Sequence, residues 1–171
     1  MTLTKFIFLD VDGVLNSQPY CERTGRELNP ENIKRLKEIV DATGTRIVLS
    51  STWKQIWDDQ EKCAKDMKNR LLHALEEYQL SIHSLTPNLP TGFRPEEIKQ
   101  FLESYQHAHP EEIITWMSLD DDYSEEDYRS VGFETGLIRT RFFCKSEYEG
   151  GIQDVHVEKA IRMLGRKYDH C

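Results

Sequence analysis

The sequence predicts an α/β fold: a three-layer, doubly wound parallel sheet with helices on both faces. Three apolar runs, at residues 6–9, 46–50 and 113–119, have the length and composition of buried strands. Between them, apolar residues recur at helical spacing, as they do over residues 30–43. Strands that alternate with helices along a chain are typical of a parallel sheet covered on both faces.

Local signals place the other elements. Asn29 before Pro30 is typical of a helix start, and Gly44 is typical of a helix end. Residues 13–29 are polar and include turn residues, so we expect a flap or turn there. The remaining predicted elements are a helical stretch, continuous or broken, over about 53–78, a short strand at 80–83, a helix that begins at 94, a strand near 136–138 and a last helix over about 154–164.

The composition indicates one folded domain over residues 1–171. The formal net charge of −8 excludes an overall basic footprint for nucleic acid, but it does not exclude a local basic groove. No apolar stretch is long enough to span a bilayer and the N-terminus lacks a signal-peptide pattern, so we expect a cytoplasmic protein with no membrane partner. The four cysteines lack the CxxC spacing of zinc or redox sites, which indicates free thiols at positions 21, 63, 144 and 171.

Each of the three best strands leads into a polar side chain at its carboxyl end. These side chains are Asp10, Ser50 and Asp120. Because ligands of open parallel sheets bind beyond the carboxyl ends of the strands, we expect the three to meet in one crevice.

Asp10 and Asp12 are two residues apart, where a strand gives way to a turn at Gly13. Residues i and i+2 of a strand share a face, so both carboxylates and a backbone carbonyl can point to one place. Two close carboxylates repel each other unless a cation neutralises them, and oxygen ligands suit Mg²⁺. One carboxylate can then attack phosphorus while the other transfers the proton.

The segment from Phe8 to Asn16 resembles the first motif of the haloacid dehalogenase (HAD) superfamily, Asp-x-Asp-Gly followed by two hydrophobic residues. The resemblance implies a magnesium-dependent phosphatase with an HAD-like Rossmannoid fold. It also implies that Asp10 forms an aspartyl-phosphate. Asp12 would protonate the leaving oxygen and then activate water.

Three later segments are similar to the other superfamily motifs. The Ile-Val-Leu-Ser run ending at Ser50 is similar to the second motif, whose hydroxyl binds phosphate, although Ser51 is an alternative register. Arg94, at the positive end of a helix, would be the basic third motif, and Lys99 is a poorer alternative one turn inside that helix. Lys54 is near enough to contact a phosphate, but we expect a solvated helix lysine.

The fourth motif of the superfamily is acidic, and Ser-Leu-Asp-Asp-Asp at 118–122 matches it. The resemblance implies that Asp120 and Asp121 bind magnesium together with Asp10 and Asp12. Asp122, Glu125 and Glu126 are expected to form an acidic surface loop.

The set of motifs is similar to the small HAD domain found alone and in multifunctional RNA-repair (Swiss Army Knife) proteins. Short intervals between the motifs predict an enzyme without a cap, or with a minimal lid from residues 16–28. An open site suits a large or terminal phosphate, so a nucleotide or nucleic-acid end is a candidate partner. Residues 139–151 depart from the pattern of that branch. There Arg139, Arg141 and Lys145 either supply a basic rim near Phe142 and Phe143, where a base stacks, or are solvated charges.

Two functions from different classes are compatible with these residues. The first is the phosphatase. The second is a non-catalytic phosphate- or metal-binding regulatory module of the same fold, comparable to a receiver domain. Asp12 favours the phosphatase, because a receiver needs no acid/base group beside its phosphorylated aspartate.

Overall fold

Five parallel strands form one sheet in a computed structural model that describes residues 2–167. The spatial order is β3-β2-β1-β4-β5, and every neighbouring pair is parallel. The strands are β1 (Thr2–Leu9), β2 (Arg46–Leu49), β3 (Ile82–Leu85), β4 (Glu112–Asp120) and β5 (Leu137–Arg139). The predicted α/β fold with a parallel sheet is therefore confirmed.

Helices cover both faces of this sheet. They are α1 (Gln18–Thr24), α2 (Pro30–Thr43), α3 (Lys62–Glu76), α4 (Arg94–Ala108), α5 (Glu125–Ser130) and α6 (Asp154–Leu164), with a 3₁₀ helix at Thr52–Ile56. Alternate residues of β1 point to opposite faces. Ile7 and Leu9 pack in the core with α2, α3 and α6, whereas Phe6 and Phe8 pack with α4 and α5.

The structure decides between the two alternatives for one predicted element, and two other elements differ from the prediction in detail. The stretch over 53–78 is broken, because the 3₁₀ helix ends before the polar residues that lead into α3. The predicted strand at 80–83 begins later, at Ile82, because the backbone N–H of Leu80 donates to the Leu75 carbonyl and completes the end of α3. The expected acidic loop contains α5, which Ser124 and Asp127 start with a capping box.

Register brings the three strand ends to one level. Leu9 pairs with Leu49 on one side and with Leu119 on the other. Beyond the strand, the backbone N–H of Asp10 donates to the Leu119 carbonyl (3.1 Å), and that of Ser50 donates to the Leu9 carbonyl (2.8 Å). The convergence of Asp10, Ser50 and Asp120 that we expected is thereby present.

The intervals around the first strands are short. Only α1 and α2 lie between β1 and β2, and only the 3₁₀ helix and α3 lie between β2 and β3. This agrees with a minimal lid, in which α1 occupies the middle of residues 16–28.

Within residues 2–167, none of the helices has the length and apolar character required to cross a membrane. The predicted free thiol at Cys171 lies outside the described residues, whereas Cys21, Cys63 and Cys144 are free.

Candidate active site

Asp10 lies at the centre of the crevice and is only 2% exposed. Its Oδ1 accepts a hydrogen bond from the backbone N–H of Val11 (2.8 Å). Its Oδ2 accepts one from Nη1 of Arg94 (2.6 Å). The predicted nucleophile is therefore a buried carboxylate held against a cation.

Arg94 is the first residue of α4, followed by Pro95, as the sequence predicted. Its Nη1 also donates to Oδ2 of Asp120 (2.8 Å), and its Nη2 lies 3.3 Å from Oδ2 of Asp122. The alternative, Lys99, donates to the carbonyl of Val131 and so points elsewhere. Between these two candidates, the geometry favours Arg94.

Four carboxylates can present oxygens within 4.8 Å of one another: Asp10, Asp120, Asp121 and Asp122. Three of them belong to the predicted metal set. Asp12 is not in the group, so the structure does not support its carboxylate as a fourth ligand. Asp122, which we had assigned to a surface loop, joins the group although its side chain is 63% exposed.

Burial and mutual repulsion dominate the electrostatics of this group. Burial raises the pKa of Asp10, and the Asp120 charge adds to the effect against the opposing charge of Arg94. Burial also raises the pKa of Asp120. Burial, together with the charges of Asp122 and Asp120, raises the pKa of Asp121 to about 7. One arginine cannot neutralise four carboxylates, so the group keeps an excess of negative charge. A set of oxygen ligands with this charge fits Mg²⁺.

Gly13 permits the close approach of Asp121 to the turn after β1. Its φ is +79°, and a Cβ built there would lie 2.2 Å from Cγ of Asp121. Glycine is thus required at this position of the Asp-x-Asp-Gly segment, because Asp121 of the fourth motif occupies the space that a side chain would need.

Asp12 projects from the same turn but is exposed. Its Oδ1 accepts a hydrogen bond from Nδ2 of Asn16 (2.9 Å), and its Oδ2 accepts one from Nε1 of Trp53 (2.9 Å). Asn16 ends the segment that resembles the first motif, and Trp53 follows Ser50 and Ser51, but we had predicted no functional role for either donor. Trp53 carries no sequence signal of this contact, because the contact depends on how the ends of β1 and β2 meet.

Ser50 and Ser51 are both buried at the end of β2. The hydroxyl of Ser50 has no hydrogen-bond partner among the described residues. The Ser51 hydroxyl accepts from the backbone N–H of Trp53 (3.3 Å), and a hydrogen bond from Ser51 opposes the rise in the Asp10 pKa. Ser51 thus interacts with Asp10, whereas Ser50 retains an unused donor, and both stay candidates for phosphate binding.

Lys54 is not the solvated lysine that we expected. It is buried in an ion pair with Glu97 of α4, and its Nζ also donates to Oγ1 of Thr86 (2.9 Å) and to the Pro87 carbonyl (2.7 Å). Burial lowers the pKa of Lys54, although the hydrogen bond to Glu97 opposes this shift. The pair joins the 3₁₀ helix after β2 to the first turn of α4, which begins with Arg94.

A cleft of about 500 Å³ adjoins the acidic group, and Asp121 forms part of its wall. Four of the other lining residues come from the end of β5 and the segment after it: Arg139, Arg141, Phe142 and Phe143. Phe143 is 75% exposed. Thr140, also in the wall, is buried with a hydroxyl that has no partner in the described part of the chain. Lys145, which we grouped with the arginines, is not among the lining residues.

The same segment is attached to the flap. The backbone N–H of Gln18 donates to the carbonyl of Phe142 (2.9 Å), and Arg23 pairs with Glu147 (2.9 Å). The minimal lid and the cleft wall are therefore one connected rim.

The comparisons with known proteins agree with this architecture. The family model described as the HAD domain in Swiss Army Knife RNA repair proteins matches residues 6–144, from β1 through the acidic group and into the cleft wall. No protein with a curated description matches the chain. The matched residues make up most of the chain and contain all the residues of the crevice described above, so the chain belongs to the family of HAD domains in Swiss Army Knife RNA repair proteins.

Proposed function

We propose that the protein is a magnesium-dependent phosphatase that acts through an aspartyl-phosphate on Asp10. The observation that carries the proposal is the buried Asp10 carboxylate, bound to Arg94 within a group of four carboxylates. An oxygen nucleophile beside a guanidinium is suited to a phosphoryl group, because the arginine can bind phosphoryl oxygens as the nucleophile attacks.

Asp10, Asp120 and Asp121 are the residues that would hold Mg²⁺, with Asp122 at the edge of the group. When bound, the ion would neutralise the crowded carboxylates and the phosphoryl charge. Its removal by a chelator is expected to abolish turnover.

The proposed reaction has two steps, transfer of the phosphoryl group to Asp10 and hydrolysis of the resulting aspartyl-phosphate. Asp10 attacks phosphorus, so that an Asp10–phosphorus bond forms and the ester P–O bond breaks, while Asp12 donates its proton to the leaving oxygen. Asp12, now ionised, then takes a proton from a water molecule whose oxygen attacks the same phosphorus. This step releases inorganic phosphate and restores Asp10. Arg94 and the hydroxyls of Ser50 and Ser51 would bind the phosphoryl oxygens.

The substrate class that we propose is a phosphorylated nucleotide or nucleic-acid end. The cleft beside Asp121 combines Arg139 and Arg141 with exposed Phe143. Arginines suit the backbone of a nucleic acid, and an exposed aromatic ring suits stacking by a base.

The test is magnesium-dependent hydrolysis of phenyl phosphate, followed by a panel of nucleotides, phosphorylated oligonucleotides and sugar phosphates. Asp10→Asn is expected to lose several orders of magnitude in kcat, as nucleophile variants do. Asp66→Asn, an exposed change on α3, is the matched control and should retain activity. Equal rates for wild type and Asp10→Asn would remove Asp10 as the nucleophile. Magnesium binding with no turnover on the whole panel would instead support the regulatory module.

A further inference from the structure

The carboxylate of Asp12 has a different donor on each oxygen, although the residue is exposed. Nδ2 of Asn16 lies 2.9 Å from Oδ1, and Nε1 of Trp53 lies 2.9 Å from Oδ2. An exposed aspartate ordinarily changes rotamer freely. Here a change of rotamer would break two hydrogen bonds, one on each oxygen.

Both donors are themselves fixed. Asn16 is buried; its Oδ1 accepts from the backbone N–H of Gly13 (2.8 Å), and its Nδ2 also donates to the Glu27 carbonyl (2.6 Å). Trp53 is buried in the core, and its backbone N–H is bound by the Ser51 hydroxyl. The turn after β1, the flap and the segment after β2 therefore all act on the orientation of Asp12.

The chemistry of the two donors suits an acid/base group. An indole N–H donates and cannot accept, so Trp53 cannot take the proton that Asp12 must deliver. Each carboxylate oxygen has a second lone pair, so either one can still bind a proton while its donor stays in place.

We infer that Trp53 and Asn16 are positioning residues that hold Asp12 in the orientation needed to protonate the leaving oxygen. This inference rests on the proposed phosphatase reaction. Neither residue contacts the nucleophile in the hydrogen bonds described, and each acts through Asp12.

The decisive kinetic experiment compares two leaving groups in wild type and Trp53→Phe, which keeps an aromatic ring and removes the donor. kcat/KM for a primary alkyl phosphate, whose leaving oxygen needs a proton, should fall roughly tenfold or more. kcat/KM for dinitrophenyl phosphate, whose leaving group departs as an anion, should change far less. In an Asp12→Asn background, Trp53→Phe should add no further loss. The matched control is Trp57→Phe, since Trp57 directly follows the 3₁₀ helix that contains Trp53 and is half-buried under Lys68 of α3; it should leave the rates with both substrates unchanged.

Equal losses for both leaving groups would overturn the inference, since they would indicate a general packing defect. Unchanged rates for both would overturn it equally. Should Trp53→Phe fail to fold, Asn16→Ser, which shortens the other donor, undergoes the same comparison.

A second measurement is independent of turnover. The chain has three tryptophans, so ¹H–¹⁵N spectra contain three indole signals that tryptophan-to-phenylalanine variants assign. Asp12→Ala should shift the Trp53 indole signal and leave those of Trp57 and Trp116 in place. An unmoved Trp53 signal would refute the contact. A wild type without turnover but with this shift would refute the phosphatase and retain the hydrogen bond.

Discussion

Gly13 connects the first and fourth motifs through its lack of a side chain. Its φ of +79° strains any residue with a Cβ, and the space where a Cβ would lie is filled by the Asp121 carboxylate. Two separate costs therefore act on substitution, one from the strained backbone and one from the displaced Asp121 carboxylate.

We predict that Gly13→Ala lowers the free energy of unfolding by about 1–2 kcal/mol through backbone strain. It should also raise the magnesium concentration needed for half-maximal activity, because Asp121 must move. Urea unfolding and magnesium titration of the rate measure the two effects. Gly132→Ala is the control, since Gly132 also has a positive φ (+95°) but open space around it. Equal effects of the two variants on magnesium dependence would contradict the steric argument.

The residues that the sequence identified are those with a signal in the chain itself. Asp10 and Asp120 follow apolar strands, and Arg94 precedes a proline at a helix start. Trp53 lacked such a signal, because an aromatic residue after a strand is equally typical of a core. Its contact with Asp12 spans 41 positions and depends on how two strand ends meet.

At the scale of elements, Lys54 and Glu97 join the segment after β2 to α4. Their side chains are 4% and 3% exposed. We predict that Lys54→Met destabilises the protein by about 3–5 kcal/mol, because it leaves the Glu97 charge buried without a partner. Thermal or urea unfolding measures the loss, and activity should fall with it because α4 carries Arg94.

Two further variants separate charge from packing in this pair. Lys54→Met combined with Glu97→Leu should recover part of the stability, since no uncompensated charge remains. Arg129→Met breaks an exposed ion pair with Glu125 and should cost less than about 1 kcal/mol. A double variant less stable than Lys54→Met would contradict this account.

The start of α6 predicts a pH dependence of stability. The backbone N–H of Gln153 donates to Nδ1 of His156 (2.9 Å), so this nitrogen must be unprotonated. Burial lowers the pKa of His156, and the positive charges of Lys159, Arg141 and Arg35 add to the effect. Because the folded state holds the neutral imidazole, its stabilising contribution is complete above the ordinary pKa of 6.5 and decreases as the pH falls below that value.

His156→Gln keeps an acceptor at this capping position and does not titrate. We therefore expect urea unfolding at pH 7.5 and pH 5.5 to show a smaller loss of stability for His156→Gln than for wild type. His107→Asn, an exposed change on α4, should behave like wild type. A wild-type pH dependence in His156→Gln would locate the effect elsewhere.

The order of strands and helices could be predicted because each element carries its own pattern of apolar residues. The burial of Lys54 could not, because it depends on Glu97, 43 residues further along the chain. The short α5 also escaped prediction, since its acidic sequence is typical of a loop and its capping box is the main local signal.

For the whole molecule, the net charge of −8 opposes nucleic-acid binding, yet the end of β5 and the segment after it place two arginines beside the crevice. A local attraction to these arginines can exceed the repulsion from distant acidic residues, because charges more than about 10 Å apart are largely screened at 0.1 M salt. Activity on a nucleic-acid end should therefore depend on these arginines and on ionic strength, whereas activity on a small phosphate ester should not.

We predict that the double variant Arg139→Gln, Arg141→Gln raises KM for a phosphorylated oligonucleotide and lowers the salt dependence of kcat/KM by about one unit of log–log slope per lost phosphate contact. Its kcat/KM for phenyl phosphate should match wild type. Arg129→Gln, outside the cleft, is the control. Loss on both substrates would mean that Arg139 acts through Asp121, whose carbonyl it contacts at 3.3 Å. An unchanged KM for the oligonucleotide would show that the cleft does not bind the substrate, because Arg139 and Arg141 are the arginines that line it within the described residues.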